Sequence, residues 1–377
     1  MIGGGVIGTS VTYYLAKKGV KVLLLEKEGI AAGTSSAGEG VIFLQLKKPG
    51  IHLKLALEST KNFKSLEEEI DFKIEYRKNG TMLIVQNEKE FEAMKIVTKE
   101  LRKTGLNVAL LDKKQAREKE PALSEKIFGA TFSSEDAQVN PMYLSLGLTK
   151  AAISFGAKIF THTKVIGINM HRLKRIKSVK TTRGVIFTNV VVNAAGIYAP
   201  EIGKMINLDI PIIPRRGQLL VTEVVPQILS RPVTAAKYLA IKYNPEIAKI
   251  ESKAAAIEPT ENGNLLIGST REFVGFDKRT TYEGISDIAE SAITMVPKLK
   301  NINIIRTFAG LRPYTSDGLP ILGKVKGLDG FIMAAGHEGD GIALSPITGE
   351  LIAELIVNGD TNFSLEEFKL ERFLSDN

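Results

Sequence analysis

Apolar positions recur along the chain with two spacings, one near 3.6 residues and one of two residues, which are typical of helices and strands respectively. The longer spacing predicts helices over residues 9–18, 53–69, 88–103 and 113–120. Asn140 followed by Pro141 predicts a capped helix start, and Gly156 is expected to end that helix. Short apolar and β-branched runs predict strands over residues 20–25, 80–85, 108–111, 127–132, 158–165, 185–192, 217–225, 238–242, 264–269, 304–308 and 331–335.

The order of these elements predicts an α/β fold in two lobes. The run at 185–192 has the continuous apolar character of a strand that is buried on both faces. The runs after residue 211 favour an antiparallel sheet, so the second lobe is expected to be α+β. We expect one domain from residues 1–75, 140–210 and 315–377, and a second from residues 76–139 and 211–314.

A glycine-rich turn opens the chain, with the pattern Gly-x-Gly-x-x-Gly at Gly3, Gly5 and Gly8. In a dinucleotide-binding unit these glycines permit the turn, the approach of a pyrophosphate and close packing of helix on sheet. Glu26 ends the next predicted strand, where an acidic residue accepts hydrogen bonds from ribose hydroxyls. An ordinary glycine turn is the alternative. The order of strand, turn, helix, strand and acid favours the dinucleotide site.

The strand before this turn contains only Met1 and Ile2, whereas about five residues are usual in a strand. We expect either a shortened central strand or a natural start upstream of this sequence. A shortened strand would weaken the sheet where it holds the cofactor.

Composition narrows the class of protein. The 377 residues are 44% hydrophobic and contain no cysteine, which excludes disulfides, thiolate metal ligands and iron–sulfur ligation by this chain. The four histidines lie far apart in sequence, which argues against a metal site. No apolar run reaches the roughly 18 to 20 residues of a membrane-spanning helix, and the start has no signal-peptide features. A cytoplasmic location is therefore expected.

The net charge of +8 is partly concentrated in residues 171–180. One interpretation is a nucleic-acid patch, but no aromatic residue is interleaved for stacking on bases, which favours a solvated hairpin. Residues 244–258 are charged and rich in alanine. We interpret them as surface structure, with a partner-binding segment as the alternative.

The last informative stretch is Gly-Leu-Arg-Pro-Tyr-Thr-Ser-Asp-Gly-Leu-Pro at 310–320. A predicted strand and the loop Gly-His-Glu-Gly-Asp-Gly at 336–341 follow it, and Ser345 with Pro346 is expected to start a helix. The N-terminus of that helix could stabilise negative charge.

With these motifs the sequence resembles the flavin-dependent D-amino-acid oxidase family, which includes glycine oxidase and the sarcosine oxidase β-subunit, over nearly the whole chain. The resemblance depends on the opening turn with Glu26 and on residues 33–40, 310–320 and 336–346. Residues 263–277 and the 336–341 loop look like the branch of hydrogen cyanide synthase and the hydroxyproline or proline dehydrogenase β-subunits. Members of that branch work in hetero-oligomers and tend to pass electrons to partner proteins.

The resemblance implies non-covalent FAD in a Rossmann-like FAD-binding domain, beside a discontinuous antiparallel-sheet substrate domain. The opening turn would hold the pyrophosphate, Glu26 the ribose, Val165 the adenine, and the last loop the flavin ring. The implied cofactor residues are Gly3, Gly5, Val6, Ile7, Gly8, Glu26, Lys27, Thr34, Ser35, Gly40, Val165, Ala195, Gly196, Gly336, Gly339, Asp340, Gly341 and Ile342.

For the substrate, the resemblance implies that Arg312 pairs with a carboxylate, a task that suits the bidentate fork of a guanidinium. A structural ion pair is the alternative for this residue. His337 could accept a proton from the substrate amine or tune the flavin, and it could equally be structural. Tyr238 is a further candidate for the pocket, although strand tyrosines are commonly packing residues.

The resemblance thus implies an FAD-dependent dehydrogenase or oxidase that removes hydride from the α-carbon of a small amino or imino acid. Glycine, sarcosine, proline, hydroxyproline and D-amino acids all fit a carboxylate clamp, and the chain would be the catalytic subunit of a hetero-oligomer. Two alternatives stay open. The opening turn would also serve an NAD-dependent dehydrogenase, and the partner-dependent branch allows a non-catalytic subunit that relays electrons.

Overall fold

The structure is a computed structural model that describes residues 1–172, 174–239 and 254–373. Its main helices are α1 Val6–Lys17, α2 Ile51–Ile70, α3 Glu88–Lys103, α4 Lys113–Lys119, α5 Pro141–Ser154, α6 Ala199–Lys204, α7 Tyr282–Met295 and α8 Gly341–Val357. Its strands in the first half of the chain are β1 Leu23–Leu25, β2 Val41–Ile42, β3 Thr81–Val85, β4 Val108–Asp112, β5 Gly129–Ser133, β6 Ala137–Gln138, β7 Lys158–Phe160, β8 Val165–Met170, β9 Ile176–Thr181 and β10 Gly184–Phe187. The later strands are β11 Val191–Asn193, β12 Ile213–Thr222, β13 Val233–Ala235, β14 Ala256–Pro259, β15 Leu265–Gly268, β16 Ile304–Tyr314, β17 Ile321–Lys324 and β18 Phe331–Ala335.

The first sheet is built around the opening residues. β1 pairs in parallel with β7, β11 pairs in parallel with β18, and β17 adds antiparallel to β18. Ile2 makes parallel bridges to Leu25 and Asn193, which joins the two sets of strands. The parallel strands therefore end at one edge of the sheet. The segments that follow Ile2, β1, β11 and β18 are brought together at that edge, where ligands bind in α/β folds.

Both faces of this sheet are covered. Val192 and Ile332 point to one side and pack against α1, α2, α5 and α8. Val191 and Phe331, one position along each strand, point to the other side and pack against the meander β8–β9–β10. The alternation follows from the two-residue period of a strand, and it explains why successive positions such as Val191 and Val192, or Phe331 and Ile332, are both apolar.

The second sheet has eight strands within the described residues, in the order β16-β12-β15-β14-β13-β3-β5-β4. Neighbouring strands run antiparallel except β13 and β3, which are parallel. The long pairing of β12 with β16 sets Arg215 opposite Arg312 and Gly217 opposite Gly310. This register places two arginines of neighbouring strands side by side in the sheet that faces the cleft described below.

The α/β fold class is confirmed, together with several sequence-predicted elements. The helix at 88–103 and the strand at 331–335 have the predicted bounds. Asn140 caps α5 through hydrogen bonds that its side chain accepts from the amides of Met142 and Tyr143. The division of the chain into two domains at the predicted residues stays a prediction.

Two predicted strands are each divided. The run at 158–165 forms β7 and the start of β8, because the chain turns at His162, which has a left-handed φ of +49°. The run at 185–192 forms β10 and β11, separated where the Thr188 hydroxyl donates to the carbonyl of Val190 at 2.9 Å. The local side-chain bond competes with strand pairing. β10 is largely exposed, so the prediction of one strand buried on both faces was wrong for residues 185–187.

Three predictions near the site are corrected. The last helix begins at Gly341 rather than at Ser345, because Pro346 is tolerated inside it: the Ser345 hydroxyl donates to the Ile342 carbonyl that lost its amide partner. Tyr238 lies after β13 and not in a strand, and residues 240–242 are outside the described residues. Of the segment 244–258, residues 244–253 are outside them too, and 254–258 are buried rather than at the surface.

Candidate active site

A long cleft runs from the carboxyl edge of the first sheet to the face of the eight-stranded sheet. Two of the predicted site residues, Gly8 and Gly40, do not line this cleft; they pack against backbone carbonyls behind its wall. The other predicted site residues line the cleft: Gly3, Gly5, Val6, Ile7, Glu26, Lys27, Thr34, Ser35, Val165, Ala195, Gly196, Tyr238, Arg312, Gly336, His337, Gly339, Asp340, Gly341 and Ile342. The fold thus gathers residues from near the start of the chain, such as Gly3, and from its last helix, such as Ile342.

The opening turn forms one wall of the cleft. Gly3 has a φ of +105°, and a Cβ added there would collide with the Ala194 carbonyl. A Cβ on Gly8 would collide with the Gly3 carbonyl, so α1 can leave the turn only without a side chain at either position. Gly5 is the N-cap of α1, and the amide of Val6 donates to the Ser35 hydroxyl at 2.9 Å. The positive end of α1 therefore opens onto the cleft.

Glu26 marks the far end of the cleft. One of its oxygens accepts from the Gly4 amide at 2.6 Å and the other from the Glu28 amide at 2.8 Å. These bonds hold the carboxylate at the end of β1, against the turn. Beside it the Lys27 ammonium lies 3.4 Å from the centroid of the Tyr198 ring, a cation–π contact that fixes the side chain along the wall.

The N-terminus of α8 lies at the opposite end. Its N-cap is Asp340, whose buried carboxylate lies 2.6 Å from the Lys47 ammonium and 3.3 Å from Nε2 of His52. Because the carboxylate is turned to these two residues and does not cap the helix, the first amides of α8 are left to the cleft. A helix N-terminus whose N-cap side chain does not bind the first amides suits a ligand that carries negative charge.

His337 is buried beside α8. Its Nε2 lies 3.1 Å from the hydroxyl of Thr348. Burial lowers the pKa of His337 to about 3, although Asp340 acts in the opposite direction. The ring is therefore neutral near pH 7, and it is a weak proton acceptor.

These features fit the FAD that the resemblance implies. The cleft is long, its glycine wall excludes side chains where a pyrophosphate would pass, and helix N-termini face it at two separate places. Gly3, Gly5 and Ser35 would hold the pyrophosphate and Glu26 the ribose. The amides at Gly341 and Ile342 would meet the flavin ring.

Arg312 lies where the cleft meets the eight-stranded sheet. Its Nη1 donates to the Thr270 carbonyl at 3.0 Å, and its Nη2 donates to the Ser269 hydroxyl. A Cβ on Gly217 would collide with the guanidinium, and a Cβ on Gly339 would lie 3.4 Å from its Nε. The guanidinium is thus held between two glycine backbones, which fixes its plane while its edge reaches the cleft.

A second charged cluster stands behind Arg312. Arg271 pairs with the buried carboxylate of Glu338 and donates to the Tyr238 hydroxyl at 3.0 Å. Burial alone would lower the pKa of Arg271, but Glu338 and Tyr238 raise it overall. Arg215 lies 3.8 Å from the same carboxylate, and burial lowers its pKa to about 10. Its guanidinium lies 5.2 Å from the ring centroids of both Phe273 and Tyr314, an arrangement that supports a cation away from water.

Sequence reasoning missed several side chains of this site. Ser269 and Arg271 stand within the motif at 263–277, and Glu338 stands within the loop at 336–341, so both motifs were noticed without these residues being assigned roles. Arg215 carried no signal, because an arginine in a strand usually points to solvent. Glu39, in the segment 33–40, also lines the cleft.

No helix among the described residues is long and apolar enough to cross a membrane. No cluster of at least three His, Cys, Asp or Glu side chains among them could hold a metal ion.

Comparisons with known proteins point to the same cofactor as the cleft. The DAO family model, described as FAD dependent oxidoreductase, matches residues 1–355. Hydrogen cyanide synthase subunit HcnC of Pseudomonas aeruginosa is 30% identical, with 98% of this chain and 95% of that protein covered. Glycine oxidase of Bacillus subtilis is also 30% identical, over 99% of this chain and 96% of that protein. The crystal structure of L-proline dehydrogenase from P. horikoshii matches with a TM-score of 0.89 at 28% identity, over 99% of this chain and 96% of that one. The chain therefore belongs to the DAO family of FAD-dependent oxidoreductases.

Proposed function

We propose that this flavoenzyme oxidises the Cα–N bond of a small amino or imino acid to the imine. The observation that carries the proposal is the position of Arg312: its guanidinium lines the end of the cleft where the flavin ring would meet α8. A guanidinium fork that is fixed by neighbouring groups binds a carboxylate with defined orientation. A substrate held in this way presents its α-carbon toward the ring site.

The names of similar proteins support this class of substrate. Glycine oxidase and L-proline dehydrogenase are each similar over nearly the whole chain, and their names specify an amino acid and an imino acid. Both substrates carry the carboxylate that Arg312 would bind. An NAD-dependent enzyme is set aside, because the family to which the chain belongs uses FAD.

The residues of the cleft would act by binding and orientation. FAD, when bound, supplies the group that accepts the hydride. Arg312 would hold the carboxylate, and the first amides of α8 would favour negative charge at the adjacent end of the cofactor. Tyr238 supports this arrangement indirectly, because its hydroxyl accepts from Arg271. His337, neutral and next to Thr348, would contribute shape and polarity rather than accept the substrate proton.

Anaerobic titration of the purified holoenzyme tests the proposal. Glycine, sarcosine, L-proline, L-hydroxyproline and D-alanine are added separately while the flavin absorbance is followed. At least one of them should bleach the flavin, because hydride transfer removes the absorbance of the oxidised ring. If none of them bleaches it, while dithionite does, the amino-acid proposal fails and an electron-relay subunit is favoured. A protein that retains no flavin would contradict the cofactor assignment.

We also propose that the chain is the catalytic subunit of a hetero-oligomer that passes electrons to a partner. The support is the similarity to a protein that is named as a hydrogen cyanide synthase subunit. Purification of the tagged chain from its own source should recover further polypeptides in fixed stoichiometry. Recovery of the chain alone, with full turnover and oxygen as acceptor, would contradict this proposal. The predicted two-domain division and cytoplasmic location remain part of the proposal.

A further inference from the structure

Besides Glu338, a second acidic side chain lies near Arg312 in the cleft. Glu39 lies in the segment between the 33–36 turn and β2, and it lines the cleft with Arg312. Its Oε2 lies 3.5 Å from the Ser269 hydroxyl, which also accepts from Arg312. Its Oε1 is buried and has no hydrogen-bond partner among the described residues. A carboxylate oxygen in this position can accept one more hydrogen bond.

The charges around Glu39 come from several elements. Arg312 on β16 and Arg271 after β15 favour its ionised form, and the charge of Glu39 in turn raises the pKa of Glu258 on β14. Burial has the largest effect, and the pKa of Glu39 lies above its ordinary value as a result. The carboxylate therefore remains basic enough to take up a proton, unlike His337, whose pKa is about 3.

Arg312 and Glu39 together match the two ends of an amino acid. Their joint contact to Ser269 places a fixed cation and an acidic oxygen at neighbouring points of one wall. A zwitterion whose carboxylate meets Arg312 would present its ammonium group toward Glu39. This ammonium group must lose a proton before the nitrogen lone pair can assist departure of the hydride.

We propose that Glu39 accepts the proton of the substrate ammonium group, a role that rests on the proposed oxidation of a Cα–N bond. One N–H bond breaks and one O–H bond forms, on the carboxylate of Glu39. The electron pair of the N–H bond stays on nitrogen, so that the ammonium becomes a neutral amine and the carboxylate becomes a carboxylic acid. The proton returns to solvent after the product leaves.

The buried location favours this transfer. A buried ion pair is costly, because both charges lose their water, and proton transfer replaces it with two neutral groups. Positive charge from Arg312 and Arg271 lowers the pKa of a nearby ammonium group, and it also lowers the pKa of Glu39, so burial is what favours the transfer.

The test compares wild-type holoenzyme with Glu39→Gln and Glu39→Asp. Each is mixed anaerobically with the amino acid that bleaches the wild-type flavin fastest, and the rate of bleaching is measured between pH 6 and pH 10. Near pH 7 we expect Glu39→Gln to be slower by about 100-fold or more, which is typical of the loss of a general base. Glu39→Asp should recover part of the rate because it keeps a carboxylate.

The pH profile separates a proton acceptor from a structural residue. The wild-type rate should fall on the acid side as Glu39 becomes protonated. The deficit of Glu39→Gln should shrink as pH approaches the pKa of the free amine, where the substrate arrives already neutral.

Binding of acetate provides a further control. Acetate has the carboxylate of glycine without its nitrogen, so Glu39→Gln should bind it, as judged by perturbation of the flavin spectrum, at least as well as wild type. A deficit that is equal at every pH, or an acid limb that persists in Glu39→Gln, would overturn the assignment. If wild type itself is not bleached by any amino acid, the proposed function fails instead, so the two failures are distinguishable.

Discussion

At the scale of single residues, the substrate end of the cleft is defined by charges held in fixed places. Arg312 is oriented by a carbonyl, a hydroxyl and two glycine backbones, so little side-chain freedom remains to be lost when a carboxylate binds. Arg271 and Arg215 pair with Glu338, whose Oε1 also lies 4.0 Å from Nε of Arg312, so one carboxylate neutralises part of the charge of all three. The result is a pocket wall with one guanidinium edge facing the cleft and two guanidinium groups that support it.

Replacement of Arg312 by alanine should lower kcat/KM for the amino-acid substrate by about 100- to 1,000-fold, the loss expected when one partner of a buried charge pair is removed. The kcat/KM of Arg312→Lys should lie between those of wild type and Arg312→Ala, because lysine keeps the positive charge but cannot form the bidentate fork. Steady-state kinetics with the bleaching amino acid would measure both.

Arg306→Ala is the matched control, since Arg306 is on the same strand but is exposed. It should leave kcat/KM unchanged. An Arg312→Ala enzyme with the wild-type KM and kcat would remove Arg312 from the substrate site.

At the scale of elements, two helix starts define the cofactor cleft. α1 begins at Val6, shortly after the bridge made by Ile2, and α8 begins at Gly341, in the loop that follows the parallel strand β18. Close contact between α1 and the turn depends on Gly8, where a side chain would meet the Gly3 carbonyl. The contact therefore sets the angle at which the helix N-terminus meets the cofactor.

Gly8→Ala should weaken FAD retention and lower the midpoint of thermal unfolding, because the helix must shift to accommodate a methyl group. Overpacking of this kind typically costs about 1–3 kcal/mol. The fraction of protein that keeps FAD after gel filtration, and the midpoint measured by circular dichroism, are the readouts.

Gly29→Ala is the control for that change, because a Cβ on Gly29 would have nothing within 4 Å. Its FAD content and midpoint should match wild type. Equal FAD retention by Gly8→Ala and Gly29→Ala would contradict the account of the turn.

At the scale of the whole molecule, buried acids connect the eight-stranded sheet to the cofactor loop. Glu258 on β14 accepts from the Gly40 amide at 2.9 Å and from the Gln138 side chain at 3.2 Å. Burial, with Glu39 acting in the same direction, raises the pKa of Glu258 to about 7. Asp136 binds Thr81 and Ser133 on neighbouring strands, and burial raises its pKa to about 6. Both acids are protonated more readily in the folded protein than in the unfolded chain.

This difference predicts that the protein loses stability as pH rises. Between the unfolded pKa of 4.5 and the folded pKa of about 7, the folded state keeps a proton on Glu258 that the unfolded state has released. The stabilisation is complete below pH 4.5 and is lost as pH passes 7. For Glu258 alone the full change is on the order of 3 kcal/mol.

Glu258→Gln should therefore show a smaller decrease in unfolding midpoint between pH 5 and pH 8 than wild type. Glu92→Gln, at an exposed position on α3, should keep the wild-type slope. Thermal unfolding of the holoenzymes at several pH values measures both slopes. A Glu258→Gln slope equal to that of wild type would show that Glu258 titrates alike in the folded and unfolded states.

The sequence by itself determined the elements whose signals are local. The dinucleotide turn was predicted from Gly3, Gly5, Gly8 and Glu26, because these residues all lie within one short stretch of sequence. Asn140 and Pro141 predicted a helix start for the same reason, since a cap bonds to amides two and three residues away. Arg312 and His337 were selected through motifs, and the structure brings both to one cleft.

Only the tertiary structure decided which charges meet. Glu39, Arg215, Arg271 and Glu338 come from segments separated by as much as three hundred residues, and no local pattern specifies their pairing. The register of β12 against β16 places Arg215 beside Arg312, and the loop after β18 then brings Glu338 to them. Burial also shifts the pKa values of Glu39 and His337 in opposite directions, because desolvation disfavours a carboxylate and an imidazolium alike. For that reason we propose a glutamate as the basic group of the site, rather than the histidine that its residue type suggested.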